Sequence, residues 1–262
     1  MPELPEVETI RTRLQEYVEG ATILSIEDPE GRFALPAIVR RRVERLFRHG
    51  KCLFFEFPKK DALLIHLGMT GKLLLSVTRE TFPYQRLIFH FTSGLFLSFC
   101  DQRRFGRVKY LTAGEKQVFL GTLGIDPFSP AYRLEHIIPL LASQKRVKDF
   151  LLDQRKIAGI GNIYASEILF RSGIHPERKL SSLSPQERCL LFAAIPSVLE
   201  EAVQCQGTTI RDFAGADGRN GRFQECLAVY GRAGKPCLCC GTPIERKVIG
   251  SRSTYFCPTC QQ

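Results

Sequence analysis

Leu87-Ile88-Phe89-His90-Phe91 and Leu95-Phe96-Leu97-Ser98-Phe99, with Thr92-Ser93-Gly94 between them, decide the fold of the first half of the chain. Two short apolar runs around a glycine turn read as a β-hairpin. Similar runs at 21–26, 52–57, 63–66 and 72–77 extend the pattern with few helices between them. Several antiparallel strands of this kind predict a β-sandwich or flattened barrel. Ahead of them, residues 5–20 read as an amphipathic helix in which Val7, Ile10, Leu14, Tyr17 and Val18 recur at helical spacing. Glu3, Glu6 and Glu8 crowd its positive N-terminal end, Pro5 suits the first turn, and Gly20 suits the C-cap.

The texture changes after Gly121. Asp126-Pro127-Phe128-Ser129-Pro130 is a turn-rich connection, followed by helical patterns over 136–143, 147–153, 163–171 and Pro185–Gln204. Ser184, Pro185 and Glu187 give the last of these a cap, a first-turn proline and an N3 acid. Residues 211–223 are rich in Gly, Asp and Arg and read as a loop. The expected class is an α+β multidomain chain: a helix plus β-sandwich over 1–120, a linker over 121–130, a helical domain over 131–224 and a small cysteine module over 225–262.

Composition sets the outer bounds. The chain has 262 residues, 44% hydrophobic and 24% charged, which excludes a disordered tail, a collagen-like repeat and a coiled-coil rod. A chain of this length buries roughly 70–75% of its unfolded surface. Thirty-seven Lys and Arg against 27 Asp and Glu leave a formal charge of +10. That surplus fits either a plainly basic surface or a polyanionic partner, because phosphate binding releases counterions and rewards clustered cations. No run approaches 18 apolar residues, so no transmembrane helix is expected. An acidic N-terminus without an apolar signal region argues against secretion and for the cytoplasm. Ten cysteines in such a chain favour metal or free thiols over disulfides.

The cysteines are informative in their spacing. Cys237 and Cys240 form one C-x-x-C, Cys257 and Cys260 another, with 16 residues between the pairs. Two such pairs can present four thiolates tetrahedrally, the arrangement of a structural Zn²⁺ site, and a ribbon this small folds because of its metal. Cys239 is the rival ligand, at poorer spacing. The other cysteines, Cys52 and Cys100 among them, are expected to be small core residues. Arg246, Lys247 and Arg252 between the two pairs would make the ribbon cationic. Further upstream, Ala158-Gly159-Ile160-Gly161-Asn162 lies between two helical patterns. Its glycines allow close backbone approach, and the following helix offers free N–H groups to an anion. Asn162 could cap that helix or bind a phosphate oxygen.

Three stretches taken together, Pro2-Glu3-Leu4-Pro5-Glu6-Val7-Glu8-Thr9, Gly159-Ile160-Gly161-Asn162-Ile163-Tyr164-Ala165-Ser166-Glu167 and the four-cysteine tail, resemble the formamidopyrimidine-DNA glycosylase family. His66-Leu67-Gly68-Met69-Thr70-Gly71, Arg103-Arg104-Phe105-Gly106 and Val229-Tyr230-Gly231-Arg232 match in the family's order. The resemblance implies a bifunctional DNA-repair enzyme that excises oxidised purines such as 8-oxoguanine and formamidopyrimidines, then cleaves the abasic site by β- and δ-elimination. It implies a helix–two-turn–helix domain, one structural zinc, damaged double-stranded DNA as partner in the cleft between domains, a monomer, and a bacterial cytoplasm where the DNA holds it at the nucleoid.

The chemistry suits the residues. Once Met1 is removed, Pro2 becomes the N-terminus; an α-amine near 8 is roughly 10% neutral at pH 7, against well under 0.1% for a lysine near 10.4. Its secondary amine would attack C1′ and displace the base, leaving an iminium whose charge acidifies the C2′ proton. Glu3 would exchange protons with the opening sugar ring, although it also suits a first-turn helix acid, and Glu6 could be either. The resemblance assigns Lys51 to β-elimination, Arg252 to a phosphate and δ-elimination, and Met69, Arg103 and Phe105 to filling the gap a flipped nucleotide leaves. Without it, Met69 and Phe105 read as core and Lys51 as one cation among many. His66, Asn162 and Arg252 would contact phosphates, which fix register without reading sequence.

Departures concern substrate choice. Gln102 stands where the family has proline, Tyr84 stands at a DNA-contacting histidine, and Gln144 lies near a position that is often lysine. Residues 215–224 resemble the lesion-capping loop, with Asp217, Gly218, Arg222 and Phe223 as candidate contacts and extra arginines. Rival readings are the same chemistry on oxidised pyrimidines or on ring-opened lesions only, a non-catalytic damage binder, and a zinc-ribbon module without damage specificity. Intact Pro2-Glu3 and Lys51 argue against a pure binder.

Overall fold

The computed structural model describes residues 1–33, 35–208 and 221–262. The chain divides into two compact units, one made of 1–122 with 205–224, the other of 123–204 with 225–262.

The first unit opens with α1 (Leu4–Val18) and continues through β1 (Ile23–Glu27), β2 (Arg45–His49), β3 (Cys52–Glu56), β4 (Ala62–His66), β5 (Lys72–Ser76), β6 (Gln85–Phe91), β7 (Phe96–Cys100) and β8 (Arg107–Leu111) to α2 (Ala113–Gly121). Two four-stranded antiparallel sheets, ordered β1-β6-β7-β5 and β2-β3-β4-β8, bury one face each in a shared core. Leu73, Phe89 and Phe99 come from the first sheet, Leu53, Phe55 and Ile65 from the second, and Val7, Ile10, Leu14 and Val18 from α1. Each fully buried side chain of this size contributes roughly 1.5–3 kcal/mol. Tyr17, read as part of the helix stripe, is 45% exposed, because Val18 completes the i, i+4 row from Leu14 and position 17 lies off it. Gly20 follows the helix at φ +82°, in the left-handed conformation that closes a helix end.

Strands β2 and β8 and helix α2 are not among the elements expected from the sequence. In β2 only Leu46 is buried, and in β8 the exposed positions are Arg107 and Lys109, so charge hides the alternation. α2 begins at a capping box in which Thr112 and Glu115 satisfy each other's N–H. Its Phe119 and Leu120 cover the outer face of β2-β3-β4-β8 over Phe54, Leu64 and Leu111, with Phe47 stacked on Phe54 at 4.8 Å. Buried Lys116 closes this layer by pairing with Glu56.

The second unit holds α3 (Leu134–Ile137), α4 (Val147–Leu152), α5 (Asn162–Arg171), α6 (Pro185–Gln204) and a hairpin of β9 (Glu245–Ile249) and β10 (Arg252–Phe256). The pattern over 136–143 resolves into α3 and a 3-10 turn at Ile138–Leu141, where Pro139 lacks the N–H an α-helix needs. The expected cap of α6 is present: Ser184 N–H donates to Glu187 Oε2 at 2.7 Å and Glu187 N–H to Ser184 Oγ at 3.2 Å.

The division by contacts differs from the four parts drawn on the sequence. The cysteine hairpin belongs with the helices because Gln262 N–H donates to Gly173 O, His175 N–H to Gln262 O, and Glu167 accepts the N–H groups of Ala228, Val229 and Tyr230. The stretch at 121–130 is tied down as well: Ile125 N–H donates to Lys156 O and Ala158 N–H to Ile125 O.

Candidate active site and nucleic-acid contacts

The head of α1 is built as a reciprocal capping box. Glu3 N–H donates to Glu6 Oε2 at 2.8 Å while the Glu3 carboxylate accepts the Glu6 N–H, and Pro2, Glu3 and Glu6 are all buried. Glu6, open between two roles in the sequence, has a clear structural one. Its Oε1 accepts both the N–H (2.8 Å) and the hydroxyl (3.0 Å) of Thr208. It therefore joins the Pro2-Glu3 turn to the neck of the loop that follows α6. That neck closes through Arg222 N–H to Cys205 O and Phe223 N–H to Gly207 O, and Phe223 is buried. Asp217 and Gly218, expected lesion contacts, lie outside the described residues, as do residues 211–220 of the predicted loop.

Lys51 lies in the Gly50–Lys51 turn between β2 and β3, nearly buried at 8% exposure. The turn is fixed to α1 by buried Arg48, which donates to Glu8 Oε2 at 2.7 Å and to Gly50 O at 2.9 Å. His66 ends β4, opposite Cys52 on one side and Arg107 on the other. Its Nδ1 accepts the Gly68 N–H at 3.1 Å, which leaves Nε2 to carry the proton and donate. Burial, then the charges of Lys51 and Arg107, push its pKa down to about 4, so the ring is a neutral donor at pH 7.

Met69, Arg103 and Phe105 occupy two adjoining loops, and both Met69 (38%) and Phe105 (54%) are exposed rather than core. The loops touch at Gly68, at φ +63°, where a Cβ would fall 2.5 Å from the Phe105 backbone. Buried Asp101 shapes the second loop, accepting from Thr70 Oγ at 2.6 Å and from Gly106 N–H at 2.7 Å, while Thr70 accepts the Arg103 N–H. Arg103 lies over the Phe105 ring at 5.1 Å; Arg104 instead pairs with Glu30. Asp101 thus does the shaping even with Gln102 in place of proline. Exposed Tyr84 meets the same turn, its carbonyl accepting the Asp101 N–H and its hydroxyl 3.5 Å from the Gln102 amide.

In the second unit, Gly161 rather than Asn162 caps α5. The Asn162 amide donates to Ser253 O at 2.9 Å, and its buried Oδ1 has no partner among the described residues. The glycine turn is clamped by Gln154, whose Oε1 accepts the Gly159 N–H and whose Nε2 donates to Ile160 O. No sequence pattern marks Gln154, and Glu167, although it ends the family stretch that starts at Gly159, shows its role of accepting three backbone N–H groups only in the structure. Lys148, fully buried, bonds Thr254. Asn162 and Lys148 thereby hold β10, whose first residue, Arg252, is exposed beyond a tight turn with Gly250 and Ser251 both at positive φ.

Cys237, Cys240, Cys257 and Cys260 bring their sulfurs within 4.8 Å of one another. Tetrahedral Zn–S bonds of about 2.3 Å place sulfurs about 3.8 Å apart, so the four fit one zinc. Cys239 and Cys260 N–H groups point at ligand sulfurs, each at 3.4 Å. Hydrogen bonding to Cys240 and burial push the Cys260 thiol upward, so four thiolates need a cation among them. Cys239 itself stays out of the cluster and is exposed. Cys189 and Cys226 are exposed too, on helix and loop surface, and Cys205 is half-buried, so only Cys52 and Cys100 meet the expectation of core thiols.

A sandwich entered through Pro2-Glu3, followed by helices that present a glycine turn to a four-cysteine hairpin, defines a zinc-finger protein built to handle nucleic acid. Residues 1–108 match the formamidopyrimidine-DNA glycosylase N-terminal domain, 123–214 the H2TH domain of the same enzymes, and 234–262 a zinc finger found in FPG and IleRS. The formamidopyrimidine-DNA glycosylase of Cytobacillus firmus is 41% identical, with both chains covered in full. The crystal structure of the MutM (Fpg) protein of Thermus thermophilus superposes with a TM-score of 0.90 at 41% identity, over 99% of this chain and 98% of that one. A Lactococcus lactis FPG mutant in complex with Fapy-dG-containing DNA gives 0.92 at 32% identity, over 100% of both chains. The chain belongs to the formamidopyrimidine-DNA glycosylase family.

Proposed function

We propose that the chain excises oxidised purines from duplex DNA and cleaves the resulting abasic site through a covalent intermediate at Pro2. The observation that carries this reading is the buried Pro2-Glu3 turn, fixed by the Glu6 capping box and set on the same unit as the Lys51 turn. After removal of Met1, the Pro2 amine forms the bond to C1′ as the N-glycosidic bond breaks and the base leaves. Glu3 delivers a proton to the ring oxygen as the sugar opens to the iminium. Loss of the C2′ proton expels the 3′ phosphate, with Lys51 as the base at this step. A second elimination expels the 5′ phosphate, assisted by Arg252.

Met69 and Phe105 fill the stack where the nucleotide was, and Arg103 bonds the orphaned base opposite. Exposure of both apolar side chains supports this, since a core role would bury them. His66, Asn162 and Arg252 contact backbone phosphates, Tyr84 meets the DNA where the family has a histidine, and Asp217, Gly218 and Arg222 cap the lesion, with buried Phe223 closing the neck of that loop. Zinc, bound by the four cysteines, holds the hairpin that carries Arg252. We further propose a monomer working in the bacterial cytoplasm at the nucleoid.

Borohydride reduction during reaction with an 8-oxoguanine:cytosine duplex tests the reading. The expected result is a covalent protein–DNA band for protein with a free Pro2, lost when an uncleaved tag blocks it. No band on 8-oxoguanine or abasic duplex, with binding intact, would leave a damage binder. A band on abasic DNA alone would keep the chemistry and overturn the substrate.

A further inference from the structure

The outer face of β2-β3-β4-β8 carries, at the end beside the Lys51 turn, a cross-strand row of His49, Cys52, His66 and Arg107. Residues directly opposite in an antiparallel ladder project to the same side with Cβ atoms about 4.5–5.5 Å apart. Arg107 therefore stands beside His66. Several other arginines of this unit are bound to carboxylates, Arg48 to Glu8, Arg86 and Arg104 to Glu30, and Arg41 to Asp61, whereas Arg42 and Arg32 bond backbone carbonyls. Arg107 is exposed, and among the described residues no carboxylate or carbonyl engages its guanidinium. Burial dominates at both neighbours, holding Cys52 as a thiol with its pKa pushed up to about 12 and His66 neutral; the charges of Arg107 and Lys51 add to the loss of the proton on His66 and only partly offset burial at Cys52. Two cations and a neutral N–H donor thus share one corner of the sheet, with Glu8 engaged by Arg48 and Arg11.

We infer that Arg107 grips a backbone phosphate of the DNA together with the Nε2–H of His66, as a binding residue additional to those the family motifs carry. The inference rests on the DNA-repair reading above. A guanidinium offers two parallel N–H donors to phosphate oxygens, and the neighbouring imidazole supplies a third from the adjacent strand. Lys109 lies two residues along the same strand and face, opposite Leu64 instead of His66, and provides the matched control.

The experiment is fluorescence anisotropy of wild type, Arg107→Ala, Arg107→Lys and Lys109→Ala with a duplex carrying a tetrahydrofuran abasic analogue, over a salt series. Arg107→Ala is expected to weaken binding about 10-fold and to flatten the slope of log K against log salt by about 0.9, the value of one phosphate contact. Arg107→Lys keeps the slope with a smaller loss of affinity, since the charge remains and the fork is lost. Lys109→Ala matches wild type. A wild-type slope and affinity for Arg107→Ala, or an equal loss in Lys109→Ala, would overturn the inference. A wild-type protein with no preference for the abasic duplex over an undamaged one would overturn the repair reading beneath it.

Discussion

His66 shows how one hydrogen bond decides what a side chain can offer. With Nδ1 occupied by the Gly68 N–H, the ring presents Nε2–H, and burial together with Lys51 and Arg107 holds its pKa at about 4 against an ordinary 6.5. Between those two values the unfolded chain binds a proton that the folded chain refuses. Stability from this group is therefore complete above about pH 6.5 and is lost as pH falls toward 4, by at most about 3 kcal/mol. NMR titration of the free protein should show the His66 ring changing near pH 4 with the Nε2-protonated tautomer above it. Urea midpoints between pH 7 and 4.5 should fall less in His66→Gln than in wild type. A ring titrating near 6.5 would show that the corner is wetter and less cationic than described.

At the scale of elements, Glu6 joins the start of α1 to the neck of the loop after α6. Both carboxylate oxygens are committed, one to Glu3 N–H and one to Thr208, and the residue is 2% exposed. Glu6→Ala removes the acceptor that the Glu3 N–H and the two Thr208 donors use, a cost of about 1–3 kcal/mol for each group that water cannot reach. Hydrogen exchange should then quicken at the Glu3 and Thr208 amides while the β6–β7 ladder keeps its protection; unchanged exchange at Thr208 would mean the neck holds without Glu6. No sequence pattern discloses this bond, because its partners are 202 positions apart. What is legible is what repeats locally. The β6–β7 hairpin alternates and turns on glycine, and α6 announces its cap in Ser184 and Glu187. β2 and β8 are hidden by basic outward positions, and the Asn162–Ser253 bond by distance along the chain. The candidate residues themselves stand in family motifs, and Asp101 and Arg48 stand in the same stretches as Arg103 and Lys51, but the bonds by which they hold those turns are not readable there, and Gln154 carries no local signature.

For the whole molecule the question is which parts stand alone. The sandwich has a large shared core, but the apolar cluster of the cysteine hairpin is small: Val229, Cys237, Ile244 and Cys257, two of them ligands. A core of that size does not offset the chain entropy of ordering the ribbon, so the metal supplies the difference. Chelation of zinc, or Cys240→Ser, should therefore release protection across β9 and β10 and free Lys148 and Asn162 from Thr254 and Ser253. Arg252 loses its fixed position with them, and affinity for an abasic-analogue duplex should drop at least 10-fold, about 1.4 kcal/mol. The sandwich draws nothing from these bonds, since every strand of its two sheets pairs within 1–122. Its hydrogen-exchange protection should survive chelation, and metal analysis of the native protein should return one zinc per chain. Protected β9–β10 amides in metal-free protein would show instead that Glu167, Lys148 and the Gln262 contacts hold the ribbon without its ion.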